Sequence, residues 1–229
     1  MVAEEKKEAG GVSKDTARFC EIPALVRGDT YPEPRVQGGR LHGGIGSGKS
    51  EVMKIAKERG FFCLSADEIN AELLKTPSYI QKIASAFPTV VKDGEVDRKA
   101  LAAIVFGDAN ARAKLNAIAH PEIMRRIAEC KESPLAVELP LFVEGGDEAF
   151  DEIVYVKAPI LKRIARLRKG RGMSAKQAIA RIKSQVPSSV LRAKSTIVIN
   201  NSKSLALLSK NTNKAFDAIL KNHKQTDKQ

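Results

Sequence analysis

The sequence predicts an α/β fold with a mainly parallel sheet, and three observations carry that prediction. Short apolar runs alternate with helical periods along most of the chain, the order expected of a sheet wrapped in helices. Aromatic residues make up 5% of the 229 residues and Trp is absent, so the core must be built from Ile, Leu, Val and Ala, as suits strands covered on both faces. A glycine-rich turn, Gly43-Gly44-Ile45-Gly46-Ser47-Gly48-Lys49-Ser50, stands immediately before a helical period.

Residues 1–40 mix charge, Gly and Pro (Tyr31-Pro32-Glu33-Pro34) without a period, and are expected to be a disordered or non-native N-terminal tail. A single domain is expected over 41–222, with a short tail at 223–229. Gly48–Arg59 places Val52, Ile55 and Ala56 at helical spacing, with Gly60 in the C-terminal capping position. Phe61–Leu64 reads as a buried strand. A helix-rich stretch follows, punctuated by Pro77, Pro88 and Asp93-Gly94. It runs through Leu101–Phe106 and Ala109–Ala119, and a new helix is expected to begin at Pro121 and reach Cys130. Leu135–Leu139 and Ile153–Val156 read as two more buried strands. Pro159 opens a helix that stops near Gly170 and Gly172, and Ser174-x-x-Gln177 is a capping-box pattern that opens the next. Thr196–Ile199 is a further strand and Leu205–Leu220 a closing helix. No internal repeat is present.

With 43% hydrophobic residues the chain can bury one sizeable core. Lys and Arg exceed Asp and Glu by 12 charges, which favours an anionic partner such as nucleic acid, a membrane surface or a polyphosphate ligand. No acidic residue occurs from Lys157 to Phe216, while Arg163, Arg166, Arg168, Lys169, Arg171 and Arg181 all fall inside; a solvated basic surface is the plain alternative. Cys20, Cys63 and Cys130 form neither a metal-binding pair nor a disulfide framework. No apolar run approaches the ~20 residues of a membrane helix, and the charged run Glu4–Glu8 does not resemble a signal peptide. A soluble, cytoplasmic protein is expected.

The turn satisfies G-x-x-x-x-G-K-[ST], a loop whose backbone amides cradle phosphates. The helix that follows adds its positive end. Lys49 is placed to reach the β- and γ-phosphates of ATP, and the Ser50 hydroxyl to ligate Mg²⁺. The upstream flank, Arg35–His42, is a poor strand by propensity. Either it is a weak strand supported by its neighbours, or the sequence before the loop is not native; the second is preferred. Asp67, just past the Phe61–Leu64 strand, falls at the sheet edge where ligands bind. It either takes a proton from an attacking hydroxyl or caps a helix over Glu68–Lys75. Glu138 either orients Mg²⁺ through water or is a charge at a strand end.

The loop Gly43–Ser50, Ala66-Asp67, Val96-Asp97-Arg98 with Leu101, Val105-Phe106, Leu115, His120-Pro121 and Pro140-Leu141-Phe142-Val143-Glu144 occur in order, followed by Arg166, Gln185 and Asn201. As an ordered set they resemble the dephospho-CoA kinase family from Gly43 to about Leu220. The resemblance implies a P-loop NTPase/kinase fold with a mainly parallel five-stranded sheet, a helical substrate insert at about 68–131 and a lid at about 160–186. It implies transfer of the ATP γ-phosphoryl group to the ribose 3′-hydroxyl of dephospho-CoA, with Mg²⁺ accompanying ATP. The implied catalytic residues are Lys49, Asp67 and Arg166. The implied ATP site comprises Gly43, Gly44, Ile45, Gly46, Ser47, Gly48, Lys49, Ser50, Glu51, Arg163, Arg166 and Asn201. Asp67, Arg98, His120 and Pro121 are implied on the acceptor side, and Ser50 and Glu138 at the metal. A surface arginine and a packed histidine before a helix-start proline are the plain alternatives for Arg98 and His120-Pro121. Arg163 and Arg166, three residues apart on one helix face, are expected to meet the phosphates together.

The chain departs from the family pattern at His42 and Glu51, where Thr is usual, at Ser65 for Asp, at Gly170 for an arginine, at Ser195-Thr196 for Ala-Asp and at Lys203 for glycine. These departures bear on rate and nucleotide affinity. Two other readings remain beside the kinase. One is a different small-molecule or nucleoside-monophosphate kinase; the other is a weakened homologue that uses its basic stretch on nucleic acid, though that stretch lacks interleaved aromatics for base stacking. The expected partners are therefore small-molecule substrates rather than nucleic acid or membrane, for a monomer or weak homo-oligomer.

Overall fold

The structure, a computed structural model, describes residues 36–139 and 149–226. The expected N-terminal tail up to residue 35, the Pro140–Glu144 motif and the last three residues lie outside that range. Five strands form one sheet: β1 (Val36–His42), β2 (Phe62–Ser65), β5 (Leu135–Glu138), β6 (Phe150–Lys157) and β7 (Ile197–Asn200). Their spatial order is β2-β5-β1-β6-β7, and every neighbouring pair is parallel. A small antiparallel hairpin, β3 (Val91–Lys92) and β4 (Glu95–Val96), turns at Asp93-Gly94, where both residues have positive φ as a tight hairpin turn requires.

The central strand β1 is the segment that propensity disfavours, and it corrects the expectation of a disordered tail up to residue 40. Residues 36–40 belong to the sheet rather than to a tail, and the weak flank is a strand held by its neighbours. Gly38 and Gly39 made it look poor, yet the packing demands them. A Cβ on Gly38 would lie 2.1 Å from the Leu135 carbonyl oxygen, at a φ of +147°. One on Gly39 would lie 3.2 Å from Ile219 Cδ1. Backbone pairing on both edges, to β5 and β6, supplies what side chains do not. Leu41 and Gly39 face one layer of helices; Arg40 and His42, by the two-residue strand period, face the other.

On the first face α1 (Lys49–Glu58) and α9 (Leu205–Thr226) cover the sheet. Leu41, Val52, Ala56, Val154, Ile199, Phe216 and Ile219 form that core, and Phe61 and Phe216 meet at 4.7 Å between ring centroids. Burying each of the Leu, Val, Ile and Phe side chains among them contributes roughly 1.5–3 kcal/mol. α9 runs six residues past the expected end at Leu220, into the predicted C-terminal tail.

The opposite face carries the helical insert: α2 (Ala66–Leu73), α3 (Pro77–Ala86), a 3-10 turn (Pro88–Val90), the hairpin, α4 (Arg98–Gly107) and α5 (Ala109–Ala128). Leu73, Tyr79, Ile83, Val90, Ile123, Met124 and Ile127 pack together beneath it. Asp97 caps α4, its side chain accepting from the Lys99 and Ala100 amides at 3.0 Å. α5 is a single helix, where a fresh start at Pro121 was expected. The Asp108 cap and the buried series Ala111, Ala119, Ile123, Met124, Ile127 carry it through the proline, whose ring removes one internal hydrogen bond.

After β6 come α6 (Ile160–Arg171), α7 (Ala175–Lys183) and α8 (Ser188–Ala193). Gly172 ends α6 in the left-handed conformation. The Ser174–Gln177 capping box is formed in both directions. Leu167, Ala178 and Ile182 bind α6 to α7 and pack against Ile45 of the glycine-rich turn.

Candidate active site

The carboxyl ends of the strands bring the chemistry to one edge. Leu41 and Ser65 are both in register with Glu138, His42 with Tyr155 and Lys157 with Asn200. From that edge β1 runs into the loop Gly43–Ser50. Ser47 N–H donates to Gly44 O at 3.0 Å. Gly48 turns the chain into α1 with φ +98°, and a Cβ there would lie 2.2 Å from Asn201 Nδ2. The leading amides of α1 are left facing outward with the positive end of the helix, which is an anion-binding arrangement.

Lys49 Nζ donates to Gly43 O at 3.0 Å and lies 3.5 Å from Glu138 Oε1, with its side chain 13% exposed. Ser50 is exposed at the start of α1 and Glu51 is half-buried beside it. Asp67 is exposed at the second position of α2. The residue in the N-cap position is Ser65, so Asp67 does not cap this helix, and its exposed carboxylate lies at the sheet edge two residues past β2.

Arg163, Arg166 and Asn201 all reach the loop, but from behind. Arg163 Nε donates to Ile45 O at 2.8 Å. Arg166 donates to Gly46 O and Ser47 O at 3.1 Å and to Asn201 Oδ1 at 3.0 Å. Asn201 Nδ2 donates to Ser47 O at 2.8 Å. The two arginines thus share one helix face as expected, while their guanidinium groups bond loop carbonyls rather than converging on the phosphate side. Burial lowers the Arg163 pKa.

Of the acceptor-side candidates, Asp67 stands at the same sheet edge as the loop, while Arg98, His120 and Pro121 lie further along the insert. Arg98 is exposed on the insert, donating to Ala71 O at 3.3 Å. His120 is 3% exposed inside α5, and its Nε2 has no hydrogen-bond partner among the described residues. Burial, and then the charge of Arg40, holds its pKa down. Pro121 is interior to the same helix.

Two contacts escaped the sequence, although the residues that make them are singled out there. Gln185 carries a specific loop contact, its Oε1 accepting from Ile45 N–H at 2.8 Å and from Arg163 at 2.9 Å. His42 and Ser195, two departures from the family pattern, meet: His42 Nε2 lies 2.9 Å from Ser195 Oγ. The Ser195 hydroxyl donates to Leu191 O, so it accepts from His42, which fixes the Nε2–H tautomer. Burial first, then Arg40 and Lys49, lowers the His42 pKa to about 4. Co-occurrence of the two departures is the signal that an alignment of many sequences could reveal.

A five-stranded parallel sheet with a G-x-x-x-x-G-K-S loop opening a helix at its carboxyl edge defines a P-loop kinase fold. Comparison with known proteins narrows this. The family model described as dephospho-CoA kinase matches residues 40–206, more than half of the chain. A dephospho-CoA kinase of Corynebacterium glutamicum is 37% identical over 182 residues, covering 75% of this chain and 93% of its own. One from Frankia casuarinae is 40% identical over 175 residues, covering 72% and 76%. Among solved structures, TT1252 from Thermus thermophilus superposes with a TM-score of 0.68 at 28% identity, covering 82% of this chain and 98% of that one. A Campylobacter jejuni dephospho-CoA kinase superposes with a TM-score of 0.53 at 24% identity, covering 80% and 97%, and so bears on the fold. The chain belongs to the dephospho-CoA kinase family.

Proposed function

We propose that this protein transfers the γ-phosphoryl group of ATP to the ribose 3′-hydroxyl of dephospho-CoA, yielding CoA and ADP. The observation that carries the reading is the loop Gly43–Ser50, with Lys49 drawn across its mouth toward Glu138, in a chain of this family. ATP binds with its phosphates on the leading amides of α1. Lys49 neutralises charge on the β- and γ-phosphates as it builds up during transfer. Arg163, Arg166 and Asn201 keep the loop carbonyls turned away, so that its amides face the nucleotide. Asp67 takes the proton of the 3′-hydroxyl as that oxygen attacks phosphorus and the bond to the ADP oxygen breaks. Arg98 and the insert hold the acceptor, with His120 and Pro121 shaping α5 beneath it; α6 and α7 brace the phosphate loop from behind.

Magnesium fits this site as an ion carried by the nucleotide. Among the described residues no group of three or more acidic, His or Cys side chains could hold a metal alone, whereas Mg²⁺ in kinases is held by one or two protein oxygens plus phosphates. The Ser50 hydroxyl and the Glu138 carboxylate are oxygen donors of that kind. When bound, the ion neutralises the β- and γ-phosphate oxygens. No helix among the described residues is long and apolar enough to cross a membrane. We infer, as part of the same reading, a cytoplasmic enzyme that acts on small-molecule substrates as a monomer or weak homo-oligomer.

The test is to incubate the full chain with Mg-ATP and dephospho-CoA and follow CoA by mass. CoA should accumulate with the wild-type chain and fall by at least about 100-fold with Lys49→Ala. Equal product from the two proteins would overturn the reading, and faster turnover of a different acceptor in the same assay would replace dephospho-CoA as substrate.

A further inference from the structure

The underside of the phosphate loop is joined to the end of α7 through one atom. Gln185 Oε1 accepts both the Ile45 amide at the loop apex, at 2.8 Å, and the Arg163 guanidinium, at 2.9 Å. Arg163 in turn donates to Ile45 O at 2.8 Å. Both backbone groups of Ile45 are therefore held by this pair, from α6 and from the residue two places past α7. The clasp is close-fitting. Arg163 is 7% exposed, and a Cβ on Gly44 would lie 2.2 Å from its guanidinium nitrogen. Beside it lies a cavity of about 260 Å³ lined by Arg163, Lys183, Gln185 and Pro187, so Gln185 is not wedged in place by packing alone.

We propose that Gln185 is a positioning residue that couples the α6–α7 pair to the phosphate loop and thereby sets its affinity for nucleotide. The proposal rests on ATP binding at this loop. An amide hydrogen that faces Gln185 cannot face a phosphate, so this bond selects which loop amides point into the anion site. Gln185 touches no reacting atom in this scheme, so its loss acts on nucleotide binding and leaves acceptor binding alone.

The experiment compares three variants of the full chain. Gln185→Met keeps the side-chain length and removes the oxygen. Gln185→Glu keeps an acceptor facing Arg163. Gln177→Ala breaks the α7 capping box and so weakens the helix without touching the clasp. Two readouts are taken on each: KM for ATP against KM for dephospho-CoA, and amide hydrogen exchange across residues 43–49 in nucleotide-free protein. With Gln185→Met, KM for ATP should rise about tenfold and exchange across the loop should quicken by a similar factor, as expected for loss of a charge-assisted clasp. KM for dephospho-CoA should stay within about twofold, Gln185→Glu should restore both readouts, and Gln177→Ala should move neither. Unchanged loop exchange in Gln185→Met overturns the proposal even if the chain phosphorylates some other acceptor. Equal changes in Gln177→Ala and Gln185→Met overturn it as well, since they would trace the effect to α7 stability. A chain that made no CoA would fail the functional reading, and the exchange arm would still decide the clasp.

Discussion

The nucleotide side and the acceptor side of this site are built differently. On the nucleotide side the predicted residues converge through direct bonds: Lys49 on Gly43 O, Arg166 on Gly46 and Ser47, Asn201 on Ser47. On the acceptor side they remain dispersed, with Asp67 and Arg98 exposed and His120 buried in α5. A loop whose backbone is the ligand must be rigid before the ligand arrives, so the protein supplies its partners from within. The contrast implies that substitutions beside the loop act on both ATP binding and protein stability, and that substitutions of the exposed Asp67 and Arg98 act on catalysis or acceptor binding with little effect on stability.

The sharpest way to break this contrast is Asp67→Asn. If the exposed carboxylate is the base, kcat should fall by about 10²–10⁴-fold with KM for ATP and the melting temperature nearly unchanged. A loss confined to stability would place Asp67 with the structural residues instead.

The next largest effect concerns His42, on the loop side. Its pKa is lowered to about 4 from an unfolded value near 6.5. Between those values the unfolded chain binds the proton that the folded chain refuses, so stability is greatest above pH 6.5 and falls as pH drops toward 4. The contribution is at most about 3 kcal/mol. His42→Leu should flatten the stability-versus-pH curve in that window, as followed by urea unfolding at several pH values. His120 is shifted the same way by burial, so some slope remains in that variant.

Arg98→Ala tests the insert. KM for dephospho-CoA should rise about tenfold, with KM for ATP unchanged, if the guanidinium meets an acceptor phosphate. The smallest effect is the coupling between His42 and Ser195. A double-mutant cycle with His42→Leu and Ser195→Ala should give an interaction energy of about 1 kcal/mol. A value near zero would mean that these two departures from the family pattern are independent.

Much of this was legible because it is local. The phosphate loop, α1 and the α7 capping box are contiguous patterns whose geometry follows from a few backbone angles. The mainly parallel sheet followed from alternating elements, its four apolar strands were placed to within a few residues, and the count of five strands came from the family resemblance. The failures were non-local. β1 reads as a poor strand because propensity sees Gly38 and Gly39 and cannot see Leu135 and Ile219 pressed against them. Pro121 looks like a helix start because its neighbours in sequence do not reveal the buried stripe that continues through it. Arg163 and Arg166 fell on the expected face, but helical spacing does not say whether a guanidinium bonds a phosphate or a carbonyl.

By itself, then, the sequence determined the reaction-bearing loop, the order of strands and helices, and the ordered set of residues that marks the family. Those depend on short-range chemistry: glycine-permitted turns, capping side chains and hydrophobic period. Only the tertiary structure decided that the weakest stretch of sequence is the central strand, and that Gln185 and Ile45, 140 positions apart, share a hydrogen bond. It also decided that His42 and Ser195 form a pair. Each of those joins groups distant along the chain, and the free energy that holds them comes from burial and pairing that exist only once the sheet and its helices have closed together.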